Sequence, residues 1–221
     1  MSIRRLRGIP GLLFPIVIFT AFSVYSDTST VATTVAVSPL LSLLRNNYSP
    51  ETALSTKFTL TIYWSVREKK ETKKGRIILA PGDRFRITVD KETFVSDGET
   101  FRQYSAGTNQ LVVKRLADVD RSTLPSQVFI RYLAAYPFRE VERKKGCARF
   151  TWTSDSAGTP YKEIQVTVEE KVRRIARCVL TDHNDNTFTY DFAATVFGEK
   201  YPKGRFAFDA PKNARVVDLR Q

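Results

Sequence analysis

From Phe58 to Val66 the chain alternates without a break. Phe58, Leu60, Ile62, Trp64 and Val66 are apolar, and Thr59, Thr61, Tyr63 and Ser65 separate them. A period of two places successive side chains on opposite faces of an extended strand, whereas a helix repeats every 3.6 residues. The segment therefore reads as a half-buried strand with one apolar face, which needs partner strands beside it and something apolar to cover it.

The same signature recurs along the chain. Ile77 and Leu79 lie in a short apolar run that Pro81 and Gly82 break, and Phe85, Ile87 and Val89 alternate after it. Phe94 and Phe101 belong to two strands flanking Asp97 and Gly98, residues that tolerate the positive φ of a hairpin turn. A further strand covers residues 111–116. Phe150 and Trp152, then Ile164, Val166 and Val168, then residues 173–180, then Phe188, Tyr190 and Phe192 continue the series, and Phe206, Phe208, Val216 and Val217 close it. The charged residues 67–74 read as the turn after the first strand, and residues 139–145 as a second solvated loop; the functional reading of both is docking on an acidic partner or on phospholipid headgroups. Roughly ten or eleven short strands with turn signals between them predict a mainly β fold, an antiparallel sheet curled into a barrel or half-barrel. Two stretches depart from this period. Leu40, Leu41, Leu43 and Leu44 fit one face of a short helix, and Val128, Phe129, Tyr132 and Leu133 fit a second, with Pro125 near its start and Pro137 after its end.

The first residues have a different character. Arg4, Arg5 and Arg7 precede an apolar run of 11 residues from Leu12 to Phe22, shorter than the ~20 that span a bilayer. Basic start, short apolar stretch and small residues read as a secretory signal peptide over residues 1–26, with cleavage after Ser26 or after Ser23. Residues 27–38 read as a flexible lead-in and residues 39–221 as one folded domain. The full chain carries a net charge of +12, and losing three Arg and no acid with the signal leaves +9. A surplus of this size points to an acidic partner, but export puts nucleic acid out of reach and leaves headgroups or an acidic protein face.

Residues that break bonds are sparse. The chain has one His, His183, within Asp182-His183-Asn184-Asp185-Asn186, a run of turn formers, and no G-x-S-x-G motif accompanies it. Calcium-loop spacing fails there because Thr187 stands in place of Gly and Ala193 in place of Glu. Neither catalysis nor a metal or cofactor is expected. Cys147 and Cys178 form an even pair in an exported chain, which permits a disulfide; in a simple meander one strand separates them, and two strand spacings of ~9.5 Å exceed the Cα separation a disulfide tolerates. The apolar face gathers Phe58, Leu60, Ile62, Trp64, Ile77, Leu79, Phe85, Ile87, Phe94 and Phe101 from the first half, and Phe150, Trp152, Ile164, Val166, Phe188, Tyr190 and Phe206 from the second. Periodicity leaves two readings open, a core filled by its own side chains or a cavity for acyl chains.

The order of motifs resembles the LolA-like family of lipoprotein carriers from about Leu40 to Leu219. The family's strand-P-G-x-F-R segment is similar to Gly75-Arg76-Ile77-Ile78-Leu79-Ala80-Pro81-Gly82-Asp83-Arg84-Phe85-Arg86. Its S-D-G-x-T segment is similar to Ser96-Asp97-Gly98-Glu99-Thr100-Phe101-Arg102-Gln103-Tyr104, and its closing F-x-F-x-x-P to Phe206-Ala207-Phe208-Asp209-Ala210-Pro211, followed by Val216-Val217-Asp218. The resemblance implies an eleven-stranded antiparallel half-barrel whose inward residues, named above, line an acyl cavity. Leu40, Leu41, Leu44, Phe129 and Leu133 would belong to short helices acting as a lid. It also implies a monomeric periplasmic carrier that receives lipoprotein acyl chains from an inner-membrane lipoprotein-releasing transporter and passes them to an outer-membrane acceptor. A lipid- or protein-binding sensor on the same fold is the alternative. Many members place an Arg before the Pro of the P-G segment to latch the lid; Ala80 stands there in this chain, and Ile87 replaces a frequent aromatic.

Overall fold

The structure, a computed structural model, describes residues 38–119, 136–156 and 159–220. The expected signal peptide, most of the lead-in, and Phe129 and Leu133 lie outside the described residues.

Helix α1 (Pro39–Asn47) opens the described chain, with Pro in its first turn, where the missing N–H costs no helical bond. Twelve strands follow: β1 (Leu54–Trp64), β2 (Lys69–Ala80), β3 (Arg84–Val89), β4 (Glu92–Asp97), β5 (Thr100–Ser105), β6 (Gln110–Arg115), β7 (Arg139–Lys144), β8 (Cys147–Thr153), β9 (Tyr161–Glu169), β10 (Arg174–Asp182), β11 (Thr187–Phe197) and β12 (Arg215–Asp218). They form one open sheet in the order β12-β6-β5-β4-β3-β2-β1-β11-β10-β9-β8-β7. The first six strands run outward from β1 as a meander. The chain then reappears at the far edge as β7 and meanders back until β11 pairs with β1.

The mainly β, open antiparallel architecture matches the sequence expectation, with two differences. The sheet has twelve strands rather than about eleven, and β12 joins the β6 edge in parallel, Val216 opposite Leu111. Among the described residues α1 is the one α-helix, and Leu116–Asp118 and Lys203–Phe206 are short 3-10 turns. Residues 69–74, expected as a turn, belong to β2: the turn is the preceding four residues, and Lys69 pairs with Trp64. Residues 139–144, expected as a loop, form edge strand β7 against β8. Charged side chains are compatible with both positions because an edge strand keeps one row of backbone groups in solvent, where Lys and Arg also discourage pairing with another chain.

Turn chemistry places the motifs of the first half. Gly98 adopts φ +101°, and a Cβ there would lie 2.7 Å from the Gly82 carbonyl oxygen, so glycine is required on both counts. Asp97 closes the same turn by accepting the Glu99 and Thr100 N–H groups at 3.0 and 2.8 Å.

The sheet buries its two faces differently. The main core lies on the face carrying Phe58, Phe85, Phe150 and Phe188, here the inner face, and α1 contributes Leu41 and Leu44 to it. Ile78 and Val95 alternate with inner residues and point outward, where they pack with Phe206 in a separate cluster. The chain after β11 crosses that outer face. Arg86 Nη1 donates to Ala207 O at 3.0 Å, and the Arg84 and Arg86 guanidinium groups lie 5.4 and 5.8 Å from the Phe206 and Phe208 ring centres. Burial lowers the pKa of Arg86, and the Arg205 charge adds to that.

Candidate functional site: the aromatic inner face

Register brings the inner residues into rows that cross the sheet. Trp152, Ile164, Leu180, Phe188 and Ile62 stand side by side on β8, β9, β10, β11 and β1. Phe150, Val166, Cys178, Tyr190 and Leu60 form the next row along the same strands. In the other half, Leu54, Leu79, Phe85, Ser96 and Phe101 form a row from β1 to β5. Ser96 is fully buried and small, and the rings on either side of it, Phe85 and Phe101, approach to 6.2 Å across it. Its hydroxyl accepts the Gly98 N–H at 3.1 Å, which keeps a buried polar atom satisfied.

Twelve of the expected face residues are buried in this one core: Phe58, Leu60, Ile62, Ile77, Leu79 and Phe85 with Ile87, Phe150, Trp152, Ile164, Val166 and Phe188. Trp64, Phe94, Phe101 and Tyr190 pack against it while partly open to solvent. Phe206 is the exception. The sequence places it with the inner face, but it is fully buried in the outer cluster with Ile78 and Val95. The reason is backbone: Phe206 ends a 3-10 turn rather than lying in a strand, so its period-two relation to Phe208 says nothing about a sheet face. Of the expected lid residues, Leu41 and Leu44 are buried in the core and Leu40 packs against it. Ala80 packs on the outer cluster and not beneath α1.

Helix α1 is held at one end of this face by Tyr48. The Ile175 N–H, freed from its ladder by the irregularity between Ile175 and Arg177, donates to the Tyr48 hydroxyl at 2.9 Å. Burial pushes the Tyr48 phenol up to about 12, and the Ile175 bond opposes that shift. The Tyr48 ring meets Phe197 edge-on at 5.2 Å, and Asn47 Nδ2 donates to Arg173 O at 3.1 Å. Between helix and sheet lies a cavity of about 10 Å³, room for about one water, lined by Tyr48, Leu54, Thr56, Ile77, Ile175, Phe192 and Thr195. Thr56 and Thr195 hydroxyls hydrogen-bond there at 2.8 Å.

Several contributors were missing from the expected face. Phe192, already read in its strand, continues the Phe188, Tyr190 alternation, and its ring stacks along Tyr190 at 6.0 Å. Tyr48 and Tyr136 lie in aperiodic segments, and the Tyr136 ring stacks on Trp152 at 4.0 Å. Cys147 and Cys178 are free thiols. Cys147 pairs with Glu169 in register and Cys178 with Val166, so they face opposite sides of the sheet with β9 between them, which leaves no path for a disulfide. Burial raises the Cys178 thiol to about 12. His183 sits in the β10–β11 turn with Nε2 2.8 Å from Thr159 O, and Asp182 accepts the Asn184 and Asn186 N–H groups at 2.8 and 2.9 Å. Among the described residues no group of His, Cys, Asp and Glu could hold a metal ion, and no helix is long and apolar enough to cross a membrane.

Solved structures share parts of this architecture at low identity. An uncharacterized conserved protein from Thermus thermophilus is 17% identical with a TM-score of 0.49, the match covering 81% of this chain and 96% of that one. A LolA superfamily protein from Nitrosomonas europaea is 10% identical with a TM-score of 0.43, covering 76% and 96%. LprF from Mycobacterium bovis is 10% identical with a TM-score of 0.41, covering 79% and 97%. No curated protein matches the sequence. The family model described as outer membrane lipoprotein carrier protein LolA matches residues 51–209, from just before β1 to the end of the outer-face segment. The chain therefore belongs to the LolA family.

Proposed function

We propose that this protein is a periplasmic carrier that takes the acyl chains of lipoproteins against its inner face and moves them from the inner to the outer membrane without covalent chemistry. The observation that carries the reading is the family match over residues 51–209 together with an aromatic face whose Trp64, Phe94, Phe101 and Tyr190 rings remain partly open. An inner-membrane lipoprotein-releasing transporter would be the donor and an outer-membrane protein the acceptor, with the carrier acting as a monomer.

Energetics make the proposal specific. The cavity of about 10 Å³ beside Tyr48 is too small for an acyl chain, so a chain that extends from the open rings to that end of the face would displace α1 from the sheet. Exposing Leu41 and Leu44 costs ~1.5–3 kcal/mol each, while burying about fifteen methylenes gains on the order of 10 kcal/mol. The chain replaces the helix leucines on the same face, and the returning helix helps expel it. The net affinity is thereby held below that of a fixed open pocket, as release demands. Ala80 supplies no side-chain latch, so among the described residues the Tyr48–Ile175 and Asn47–Arg173 bonds, the Tyr48–Phe197 ring contact and the buried leucines are contacts that hold α1 closed.

The test is release of newly made lipoprotein from spheroplasts, read beside binding of an acylated fluorophore. A carrier does both. A sensor on this fold would bind the fluorophore and leave lipoprotein on the spheroplasts; failure of both would end the acyl-binding reading.

A further inference from the structure

The end of the β1–β2 hairpin has features that neither the core nor the inner face explains. Pairing of β2 with β3 begins only at Gly75, opposite Val89, so residues 69–73 are bonded to β1 alone and project as a free edge. The turn joining the strands is closed by the Glu68 N–H donating to Ser65 O at 3.3 Å, with Glu68 at φ +48°. Its corner is Val66, 88% exposed, the most exposed large apolar side chain among the described residues. Tyr63, three residues earlier on β1 and opposite Lys70, is 40% exposed on the outer face. The tip is also anchored: Ser65 N–H donates to Asn186 Oδ1 at 3.0 Å, and the Ser65 hydroxyl donates to Asn184 O.

Charge surrounds this apolar tip. Residues 67–74 carry five bases, Arg67, Lys69, Lys70, Lys73 and Lys74, against Glu68 and Glu71. Glu71 is engaged by Lys69 at 3.0 Å, and that contact lowers its pKa. On the neighbouring turn Asp185 pairs with Lys162, and Asp182 is occupied by backbone N–H groups. Lysines on a free strand edge block edge-to-edge pairing, which accounts for those in β2. It does not account for Arg67 or Val66, which lie in the turn, where a β-branched apolar residue gains nothing from packing.

We propose that the tip of this hairpin, residues 63–74, docks the protein on a membrane surface of anionic lipid. Val66 and Tyr63 enter the boundary between headgroups and acyl chains, and the surrounding bases meet the lipid phosphates. A protruding tip with one bare valine suits a deformable lipid surface. A stable protein interface buries ~800 Å² on each side and calls for a broader apolar patch. This proposal goes beyond the carrier reading and does not depend on it, since docking requires no bound acyl chain.

The experiment is co-sedimentation of the protein, purified from the envelope of the expressing cell, with sucrose-loaded vesicles of phosphatidylglycerol and phosphatidylcholine or of phosphatidylcholine alone. Every variant carries the same N-terminus, so differences report the hairpin. Binding to the anionic vesicles should exceed binding to the neutral ones and fall with added salt. Lys70→Glu with Lys74→Glu should lower the partition coefficient at least tenfold, since each base near such a surface contributes about fivefold. Val66→Ser should lower it about threefold, and the milder pair Lys70→Gln with Lys74→Gln, which removes two bases without adding acids, should lower it at least tenfold but less than the Glu pair. The control pair Lys145→Glu with Lys171→Glu makes the same charge change in the turns at the opposite end of the strands and should stay within twofold. Equal binding to neutral vesicles, an equal loss in the control pair, or unchanged binding in the hairpin variants would overturn the proposal. So would hairpin variants that keep vesicle binding but lose capture of an acidic polypeptide. Acylated-fluorophore binding should be unchanged in all four variants, which separates this result from the fate of the carrier reading.

Discussion

Substituting Gly75 by Ala tests whether the inner face is assembled by contact between strands or merely by apolar character. Gly75 lies opposite Phe58 in the β1–β2 register, and the Phe58 ring rests on it. A Cβ at position 75 would lie 2.4 Å from Phe58 Cζ, 2.6 Å from Phe58 Cε1 and 2.5 Å from the Thr88 carbonyl oxygen. The ring is 5% exposed, with Tyr190 5.8 Å away, so it cannot swing into solvent, and the Thr88 carbonyl belongs to β3 and is fixed by the sheet. Overpacking of this kind costs ~1–3 kcal/mol. Against it stands a gain of ~0.4–1 kcal/mol from the stiffer unfolded chain, because Gly75 does not sit at positive φ and alanine suits its backbone. The net expectation is a loss of about 1–2 kcal/mol, read as a lower urea midpoint with an unchanged slope. Phe58→Leu should remove the ring part of the clash and leave the Thr88 part, so the two changes should couple by at least ~0.5 kcal/mol in a double-mutant cycle. Gly146→Ala is the complementary control: its Cβ meets nothing within 4 Å, but φ is +75°, so it costs only backbone strain and should not couple to Phe58. If Gly75→Ala is as stable as the parent, or costs the same with and without the Phe58 ring, the packing argument is wrong.

Other expectations follow from single residues. Phe206→Ala should cost ~3–5 kcal/mol by emptying the outer cluster, yet leave acylated-fluorophore binding unchanged in the folded fraction; a parallel loss of affinity would place Phe206 on the binding face after all. Phe101→Glu should weaken that binding at least tenfold while the circular dichroism of the sheet persists, because the ring is partly open and its loss empties little core. Tyr48→Phe should destabilise by ~1–3 kcal/mol by leaving the buried Ile175 N–H unpaired, and should speed fluorophore uptake by loosening α1. The parent should lose stability as pH rises from about 10 to about 12: the phenol ionises first in the unfolded chain, so its contribution is complete below the unfolded value and gone above the folded one. The parent and Tyr48→Phe should converge over that window. Cys178 should resist a water-soluble thiol reagent in the native state while Cys147 reacts, and reductant should not shift the melting temperature.

How far the fold was legible depends on which backbone groups carried it. Phe58, Leu60 and Ile62, or Ile164, Val166 and Val168, reveal their strands because one face is buried and the other is wet, and period two follows directly. Lys69 to Lys74 hides a strand because an edge needs no apolar face; its order comes from hydrogen bonds to β1, which leave no trace in hydropathy. The same is true of β7, where Arg143 pairs with Glu140 and Glu170 and no apolar row exists to read. Pairing across the chain is harder still. That β11 returns to β1, and that β12 runs parallel to β6, are decisions between distant segments, and local pattern does not encode the partner. Bulges add a further blind spot: the shift between Ser55 and Lys57 against β11 is accompanied by positive φ at Ala194 and restarts the alternation that Phe197 obeys.

Phe206 exposes the difference between an apolar residue and a site residue most clearly. By composition and spacing it belongs with Phe85 and Phe150, and all three are fully buried. Yet Phe206 helps secure the segment that runs on to β12, through contacts with Ile78, Val95 and the Arg84 guanidinium. That outer cluster covers part of the apolar outer surface of β2 to β4 with the protein's own chain. Among the described residues the inner face has a different arrangement: a nine-residue helix covers one end of it, held by two buried leucines and the Tyr48–Ile175 and Asn47–Arg173 bonds, while Trp64, Phe94, Phe101 and Tyr190 stay partly open. A sheet that seals one face by a covalently continuous strap and the other by a light helix has an asymmetric response to an apolar ligand. Displacing the strap would mean unpairing β12, whereas displacing the helix means breaking a few contacts that an acyl chain can replace. The proposed binding face is thus set apart less by how apolar its residues are than by how little it costs to uncover them.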